Sequence, residues 1–308
     1  MPKYLVSIVN WNSTAATNEC LAGLAQLPSD RQPDVVVVDN HSTHEKFEIM
    51  SATREKLRSI RVIMNDTNLG FAGGHNPNIK LAKEKGYDYI CLLNPDTEVI
   101  DKNMFDKLAK ALDSNPKALA AAPTILKRLD PDIIWFGGGR MSLKTSHVSH
   151  LQVGQMESLP GGAEKTEFLT GCCIVIDLKK ADLSQLLLPE EYFLYWEDAD
   201  WCSKLKKAGF ELLYVPEARL LHHVSHTLGE RSPAYIYYNI RNHFLFVRRN
   251  IPPAYRPLSW LRIILITIKY HGVILLRYES GRTTALKALW WAWLDGLKDK
   301  TGILTRNL

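Results

Sequence analysis

Three short apolar runs rich in Val, Ile and Leu divide the first hundred residues, and each run stops at a polar cluster. The runs are Leu5–Val9, Val35–Val38 and Tyr89–Leu93. Continuous apolar runs of this length are typical of parallel strands that are buried on both faces. Stretches with helical spacing separate them, at Thr17–Leu27, Phe47–Leu57 and Pro77–Lys85. Because strand and helix alternate, the sequence predicts an α/β fold with a mostly parallel sheet between helices.

Polar side chains follow each predicted strand. In a sheet of parallel strands, ligands bind outside the carboxyl ends of the strands. We therefore expect the active site at the edge that receives three polar clusters: Asn10, Trp11 and Asn12; Asp39 and Asn40; and Asn94, Pro95 and Asp96.

The middle of the chain is less regular. Residues 130–162 are rich in Gly, Ser and His and predict hairpins or a mobile loop over the site. Further along, the pattern predicts a strand at Phe168–Asp177, a helix from Asp198 that ends at Gly209, and a second strand at Glu211–Val215. Long helices follow, broken at Pro252-Pro253 and at Gly272.

Charge separates the chain into two parts near residue 230. Residues 231–308 hold thirteen basic and three acidic residues, a net charge of +10, whereas residues 1–230 carry −5. A chain of 308 residues is long enough for one large α/β domain and an appendage. We expect an α/β domain at 1–230 and a helical extension at 231–308.

The extension combines its basic residues with four of the eight tryptophans, and this composition suits an anionic membrane surface. The apolar run Ile263–Ile266 argues against a nucleic-acid-binding arm. Because Arg262, Lys269 and His271 interrupt the segment 258–276, we expect it to lie on a membrane rather than cross it. A helical extension packed on the core is the alternative.

The five cysteines form no CxxC pair and no metal-finger spacing, so we expect reduced, buried thiols and no disulfide. The N-terminal residues turn polar too early for a signal peptide. We expect a cytoplasmic protein that is peripheral on the inner face of the cytoplasmic membrane.

Two segments suit a nucleotide. Asp39 ends a strand, where a carboxylate can accept a hydrogen bond from a base imide or a ribose hydroxyl; a turn residue bonded to its own backbone is the alternative. The segment Asn68–Asn76 holds Gly70, Gly73 and Gly74, and we expect it to form a loop before a helix whose N-terminus favours phosphate. Its spacing matches neither Walker A nor GxGxxG, and a plain tight turn is the alternative.

Carboxylates mark two further positions. Asp96 follows an apolar strand and could anchor a hard cation such as Mg²⁺ or Mn²⁺, although Asn94-Pro95-Asp96 is also a good turn. Glu197, Asp198 and Asp200 cluster at a helix start between aromatic residues. One of them could be the general base for a hydroxyl acceptor, and a solvated capping cluster is the alternative.

In their order and content these segments resemble glycosyltransferase family 2, of the GT-A fold, and its rhamnosyltransferase-like branch. The resemblance extends from Tyr4 to His223. It implies that one group of residues holds the nucleotide base: Asn10, Trp11, Asn12 and Asp39. It also implies that the glycine-rich segment lines the nucleotide-sugar pocket, through Asn68, Gly70, Gly73, Gly74, His75 and Asn76.

The resemblance also implies a metal site and a base. Asn94-Pro95-Asp96 corresponds to the family's Asp-X-Asp metal motif, with Asn at the first position and Asp96 as the main ligand. A downstream histidine is a metal ligand in some members; we assign His222, with His223 as the alternative. Glu197-Asp198 corresponds to the Glu-Asp motif, whose second residue is the catalytic base. We assign the acceptor or donor pocket to Gly171, Cys172, Trp196 and Asp200.

The function expected from this resemblance is inverting transfer of a sugar from a nucleotide diphosphate donor to a hydroxyl of a glycan or lipid-linked acceptor, with Mg²⁺ or Mn²⁺ as cofactor. The motifs resemble most those of enzymes that use dTDP-L-rhamnose; UDP-hexose and galactofuranose donors are alternatives. A sugar nucleotidyltransferase would need a basic glycine-rich loop near the N-terminus, which this sequence lacks. A non-catalytic glycan-binding scaffold is the remaining alternative, and it would apply if Asn94 at the first motif position abolished metal binding.

Overall fold

In a computed structural model the chain is described over residues 2–156, 161–223, 232–278 and 281–306. The strands, in chain order, are β1 (Tyr4–Asn10), β2 (Asp34–Asp39), β3 (Ile60–Met64), β4 (Tyr89–Leu93), β5 (Thr97–Glu98), β6 (Ala118–Lys127), β7 (Asp130–Phe136), β8 (Gly139–Ser142), β9 (His147–His150), β10 (Glu164–Thr166), β11 (Cys173–Asp177) and β12 (Glu211–His222).

The α-helices are α1 (Thr14–Ala25), α2 (Ser51–Arg54), α3 (Gly70–Glu84), α4 (Met104–Asp113), α5 (Leu183–Leu186), α6 (Glu197–Lys207), α7 (Pro233–Asn250), α8 (Arg256–Arg277) and α9 (Arg282–Leu297). Short 3₁₀ turns precede α6 and α8, at Glu190–Tyr192 and Pro253–Tyr255.

The main sheet has the strand order β10-β12-β6-β11-β4-β1-β2-β3; in addition, β5 pairs with β12 and β7 pairs with β6. The strands β3, β2, β1 and β4 run parallel, β11 is antiparallel to both neighbours, and β6 and β12 are parallel to each other. The central strands are buried on both faces, as the continuous apolar runs predicted. The α/β class with a mixed, mostly parallel sheet between helices and a helical C-terminal region is confirmed.

Several local predictions were wrong. Gly70, Gly73 and Gly74 do not form a loop before a helix, because α3 begins at Gly70 and holds Pro77 in its interior. The helix expected over Phe47–Leu57 is reduced to the four residues of α2. Gly272 does not break α8, since a glycine in a helix costs only about 1 kcal/mol relative to alanine.

The region 130–162 contains the expected hairpins over its described residues, since β7 pairs with β6 and β8 with β9. The strand expected from Phe168 begins only at Cys173, and the preceding residues form a loop at the sheet edge. The strand expected over Glu211–Val215 extends to His222. This extension carries a histidine beside the end of β4.

The C-terminal helices pack on the α/β domain and on one another. In α7, Arg241 and Asn242 are buried. A Cβ on Gly296 of α9 would lie 2.5 Å from Phe244 Cδ2, so the two helices are in close contact there. The extension is therefore integrated with the core through α7.

Helix α8 is largely exposed. Among the described residues, one helical segment, Pro253–Leu276, is long and apolar enough to cross a membrane by length and composition, with a mean hydropathy of 1.5. The expectation that its basic residues make it too polar for a span is wrong on this measure. Only 17% of the apolar stretch of this segment is buried inside the fold.

Gly74 controls how closely α3 approaches the sheet. Replacing Gly74 by Ala is expected to lower the free energy of unfolding by about 1 to 3 kcal/mol, because the new Cβ would lie 2.7 Å from Val9 Cγ2. Gly272→Ala in α8 is the control: no atom lies within 4 Å of its Cβ position, and it should raise stability by up to about 1 kcal/mol. Equal effects of the two substitutions in chemical denaturation would contradict this interpretation.

Candidate active site

A cavity of about 1090 Å³ opens at the carboxyl ends of β1, β2 and β4. It exceeds the usual upper range of about 1000 Å³ for a site that holds one small molecule. Its walls come from the ends of the parallel strands, the start of α3, the loop before β11, the start of α6, the β9 hairpin and the C-terminal extension. The cavity is therefore large enough for a small-molecule ligand.

Asp96 and His222 meet at one wall of this cavity. Asp96 follows β4, and His222 ends β12, which pairs with Thr97 of β5. Asp96 Oδ1 lies 3.3 Å from His222 Nε2, and both side chains are more than nine-tenths buried. The two atoms are not aligned for a hydrogen bond, and Asp96 Oδ1 has no hydrogen-bond partner among the described residues. A buried carboxylate oxygen without a donor is costly, so this atom suits a cation.

The donor atoms fit a divalent cation. An octahedral ion with bonds of about 2.1 Å places neighbouring ligands about 3 Å apart, close to the separation of Asp96 Oδ1 and His222 Nε2. Within the described parts of the chain, no cluster of three or more His, Cys, Asp and Glu side chains could hold a metal alone. Mg²⁺ and Mn²⁺ accept few protein ligands and complete their coordination with phosphate and water oxygens.

The neighbours of this pair differ in their roles. His223 turns away from the cavity and contacts Arg128 through Nε2, while its backbone N–H donates to Asp96 O at 2.8 Å. Of the two histidines, His222 alone lines the cavity. Asn94 also lines it, and its backbone N–H donates to Cys172 O at 2.9 Å.

Glu197 and Asp198 begin α6 and line the same cavity. Asp198 accepts hydrogen bonds from the backbone N–H groups of Gly171 and Ala199, at 3.0 and 2.8 Å. Burial raises the pKa of Asp198 to about 6 despite these donors. Burial, and then the neighbouring Asp198, raises the pKa of Glu197 well above its usual range. A carboxylate with a pKa near 6 is suited to take a proton near neutral pH.

The segment before these carboxylates is strained. Phe193, Tyr195 and Trp196 have φ values of 64°, 65° and 77°. Bulky residues in this left-handed region cost roughly 1 to 3 kcal/mol each, so such a segment persists only where its surroundings hold it. The positive φ values turn the chain sharply, and the start of α6 faces the cavity.

The glycine-rich segment supports that turn from one side. Gly70 has a φ of 72°, and a Cβ there would lie 2.2 Å from Phe193 O. The Phe71 N–H donates to the same oxygen at 2.8 Å. The Asn68 side chain accepts from Gly70 N–H and from the Asn40 amide, each at 2.9 Å. Asn40 and this segment form one hydrogen-bonded wall of the cavity.

The remaining residues of the segment lie deeper. Gly73 and Gly74 are buried in α3 and do not line the cavity. His75 lines it and pairs with Ser7 Oγ at 2.8 Å, and burial lowers its pKa to about 3, so the ring is neutral. Asn76 is buried outside the cavity, and its amide donates to Leu188 O at 2.9 Å.

Of the four residues expected to hold the nucleotide base, one lines the cavity. Trp11 lines the cavity, whereas Asn10, Asn12 and Asp39 do not. Asp39 is fully buried, and its two oxygens accept from the backbone N–H groups of Ser42 and Phe47, each at 3.1 Å. The side-chain oxygen of Asn12 accepts from Thr43 N–H at 2.7 Å. These side chains shape the loop after β2, in agreement with the turn alternative for Asp39.

Of the four residues assigned to the acceptor or donor pocket, three line the cavity and one does not. Gly171, Cys172 and Trp196 line the cavity. Asp200 lies on the opposite side of α6, where it accepts from the Asn250 amide and lies 3.7 Å from Arg249 Nη1. It connects α6 to α7.

Sequence reasoning missed several residues of the wall that come from β7, β9, α7 and the segment after α9. The additional residues are aromatic or polar side chains of the hairpin, of α7 and of the segment after α9: Trp135, His150, Tyr235, Tyr238, Asn239 and Arg306. Trp135 packs edge-on against His222, with ring centroids 4.4 Å apart. The aromatic density of α7 is the sequence signal that could have pointed to these residues.

The family model described as "Glycosyl transferase family 2" matches residues 6–175, which is more than half of the chain. The chain belongs to this family, and it is a glycosyltransferase. The proposed resemblance is confirmed.

Two similar relatives extend beyond the matched region. The N-acetylglucosaminyl-diphospho-decaprenol L-rhamnosyltransferase of Mycobacterium tuberculosis is 25% identical over 290 residues, covering 87% of this chain and 91% of the relative. The dTDP-rhamnosyl transferase RfbF of Shigella flexneri is 23% identical over 283 residues, covering 87% of each chain. The sequence similarity therefore includes the C-terminal extension.

Solved structures share the fold. GalNAc-T7 with UDP, GalNAc and Mn²⁺ superposes with a TM-score of 0.61 at 15% identity, over 80% of this chain and 50% of that chain. The mannosyltransferase PcManGT from Pyrobaculum calidifontis, in complex with GDP-Man and Mn²⁺, gives 0.55 at 16% identity, over 97% and 88% of the two chains. TarS 1-349 of S. aureus with UDP-GlcNAc gives 0.56 at 16% identity, over 96% and 81%.

Asp96 and His222 are expected to carry the metal dependence of nucleotide binding. Asp96→Asn and His222→Ala should each weaken Mn²⁺-dependent binding of a nucleoside diphosphate by about 100-fold in calorimetry, because each would remove a ligand of the expected cation. His223→Ala is the matched control and should bind as the wild type does, since its ring faces Arg128. Loss of binding in His223→Ala with retention in His222→Ala would reverse the assignment.

Proposed function

We propose that this glycosyltransferase inverts the anomeric centre of a nucleotide diphosphate sugar in a single displacement. The observation that carries the proposal is that one cavity is lined both by the Asp96–His222 pair and by Asp198. A cation site and a base on one cavity are the two parts that this displacement needs.

The proposed reaction is a single displacement at the anomeric carbon of the donor. Asp198 takes the proton of the acceptor hydroxyl while that oxygen forms a bond to the anomeric carbon of the donor. The bond from the anomeric carbon to the diphosphate oxygen breaks on the opposite side, and the nucleoside diphosphate leaves with the electron pair. Asp96 and His222 would hold a Mg²⁺ or Mn²⁺ ion, which when bound neutralises the charge that develops on the diphosphate. Gly171 N–H orients the Asp198 carboxylate during this transfer.

The proposed donor is dTDP-L-rhamnose. The names of the two relatives, an L-rhamnosyltransferase and a dTDP-rhamnosyl transferase, support this choice. UDP-hexose and galactofuranose donors are the competing outcomes of a donor screen. Thermal stabilisation by each nucleotide sugar in Mn²⁺, followed by transfer assays, separates them.

The proposed acceptor is a glycan or lipid-linked hydroxyl in bacterial surface polysaccharide synthesis, reached at the inner face of the cytoplasmic membrane. The mycobacterial relative is named for a diphospho-decaprenol substrate. Helix α8 supports membrane attachment because its outer side exposes an apolar stripe, comprising Leu258, Leu261, Leu265, Ile268 and Leu275. The +10 charge of residues 231–308 favours anionic lipid.

Asp198→Asn is expected to lower the rate of transfer by about three orders of magnitude while nucleotide binding in Mn²⁺ remains. In the wild type, kcat/KM should fall below a pH of about 6, because protonation of Asp198 in the free enzyme removes the base. Glu211→Gln, a carboxylate in a surface ion pair with Lys165, is the control and should keep the wild-type rate. Unchanged turnover in Asp198→Asn would refute the assignment.

Substitution of Leu261 and Ile268 by Asp is expected to reduce binding to phosphatidylglycerol-containing vesicles by about tenfold or more, because both side chains are more than half exposed on α8. The same change at Met50 and Met64, exposed apolar residues of the catalytic domain, is the control. Vesicle flotation measures both. Equal binding of the two double variants would argue against attachment through α8.

A further inference from the structure

The turn that delivers Glu197 and Asp198 depends on contacts from outside its own segment. Its backbone is left-handed at Phe193, Tyr195 and Trp196, and no side-chain hydrogen bond caps α6 at Trp196. Aromatic residues do not favour this backbone region, so the sequence of the segment does not account for its conformation. The groups that hold it must lie on other elements.

The strongest of these contacts comes from Asn242 of α7. Its side-chain nitrogen Nδ2 lies within hydrogen-bond distance of three carbonyl oxygens of the segment, those of Tyr192 at 2.9 Å, Leu194 at 2.7 Å and Tyr195 at 2.8 Å. Because the amide has two hydrogens, one of them is shared between two of these oxygens. The fourth carbonyl, that of Phe193, accepts from the Phe71 N–H. Four consecutive carbonyls are therefore held, three of them by one side chain.

Two neighbours of Asn242 on the same helix act on the same segment. Arg241 Nη2 donates to Tyr192 O at 3.0 Å and to Gly302 O at 2.8 Å. The His243 ring stacks on Trp196, with centroids 4.3 Å apart and planes inclined by 20°. Both Arg241 and His243 are buried. One turn of α7 thus contacts both ends of the left-handed segment.

Other residues attach α7 to its surroundings. Tyr237 Oη donates to Asp295 of α9 at 2.9 Å, and Phe244 packs against Gly296. The three hydrogen bonds of the Asn242 amide all go to the segment before α6. The amide therefore links α7 directly to the turn.

We propose that Asn242 is a positioning residue for the reaction, and that α7 of the C-terminal extension holds the general base in place through it. The proposal rests on the assignment of Asp198 as the base. Asn242 fixes the carbonyls of Leu194 and Tyr195, which sets the direction in which α6 starts and hence the position of the Asp198 carboxylate. A small displacement of a catalytic group lowers the rate without a matching loss of substrate affinity.

Asn242→Ala in the full chain tests this. We expect kcat to fall about 100-fold, while KM for the nucleotide sugar stays within about threefold of the wild type, because Asp96 and His222 are untouched. The acid limb of the pH profile should move below its wild-type position near pH 6, since Asp198 gains access to water when the turn relaxes. A purely structural role would reduce the active fraction and leave the pH profile unmoved.

Asn250→Ala is the matched control. Asn250 is a buried asparagine of the same helix that contacts Lys207 and Asp200 of α6 and none of the carbonyls of residues 192–195. We expect a comparable loss of Tm with kcat within about threefold of the wild type. If Asn242→Ala keeps kcat within threefold, or if Asn250→Ala loses as much, the proposal is overturned. Should Asn242→Ala fail to fold, Asn242→Ser, which keeps one donor, decides by the same criteria.

Hydrogen exchange provides a readout that needs no turnover. The Phe71 and Gly171 amides donate to Phe193 O and to Asp198 Oδ2, so both should exchange at least tenfold faster in Asn242→Ala and remain protected in Asn250→Ala. Unchanged exchange in Asn242→Ala would overturn the proposal. A wild-type chain that transferred no sugar would refute the proposed function, while exchange at these two amides would still decide whether Asn242 holds the segment.

Discussion

The capture of four consecutive carbonyls at Tyr192–Tyr195 is the interaction on which the cavity depends. Buried backbone carbonyls need donors, and a left-handed turn cannot supply them through regular helix or sheet pairing. The donors come from both sides, from Phe71 of the glycine-rich segment and from Arg241 and Asn242 of α7. The nucleotide-sugar side of the fold and the C-terminal extension are therefore joined at the turn that presents Glu197 and Asp198.

Sequence patterns predicted the frame of the molecule well, for reasons that are local. A strand buried on both faces must be continuously apolar, so Leu5–Val9, Val35–Val38 and Tyr89–Leu93 were recognisable, and their polar ends marked the cavity edge. The pairing of Asp96 with His222 was available only from family resemblance. No local pattern indicates that β12 continues past Val215 to bring a histidine beside the end of β4.

The predictions that failed depend on tertiary contacts. A glycine in the sequence indicates a positive φ only statistically. Gly70 has a positive φ, and Phe193 O occupies the position of its missing Cβ, whereas Gly73 and Gly74 are helical and allow close packing. The left-handed Phe193, Tyr195 and Trp196 carry no such signal, because aromatic residues rarely adopt that backbone. Charge and aromatic content predicted an appendage at residues 231–308, but could not reveal that Arg241 and Asn242 are buried against the turn.

The contacts of Arg241 have a consequence for the order in which the molecule matures. The turn at Tyr192 is synthesised well before α7, and Arg241 in turn donates to the carbonyls of Lys300 and Gly302. A nascent chain that ends after β12 can pair its sheet and has the Phe71 donor, but it lacks the donors that α7 supplies to this turn. The pairing of Asp96 with His222 thus needs only residues up to the end of β12, whereas the complete set of contacts of Arg241 forms only after residues 300 and 302 have been synthesised.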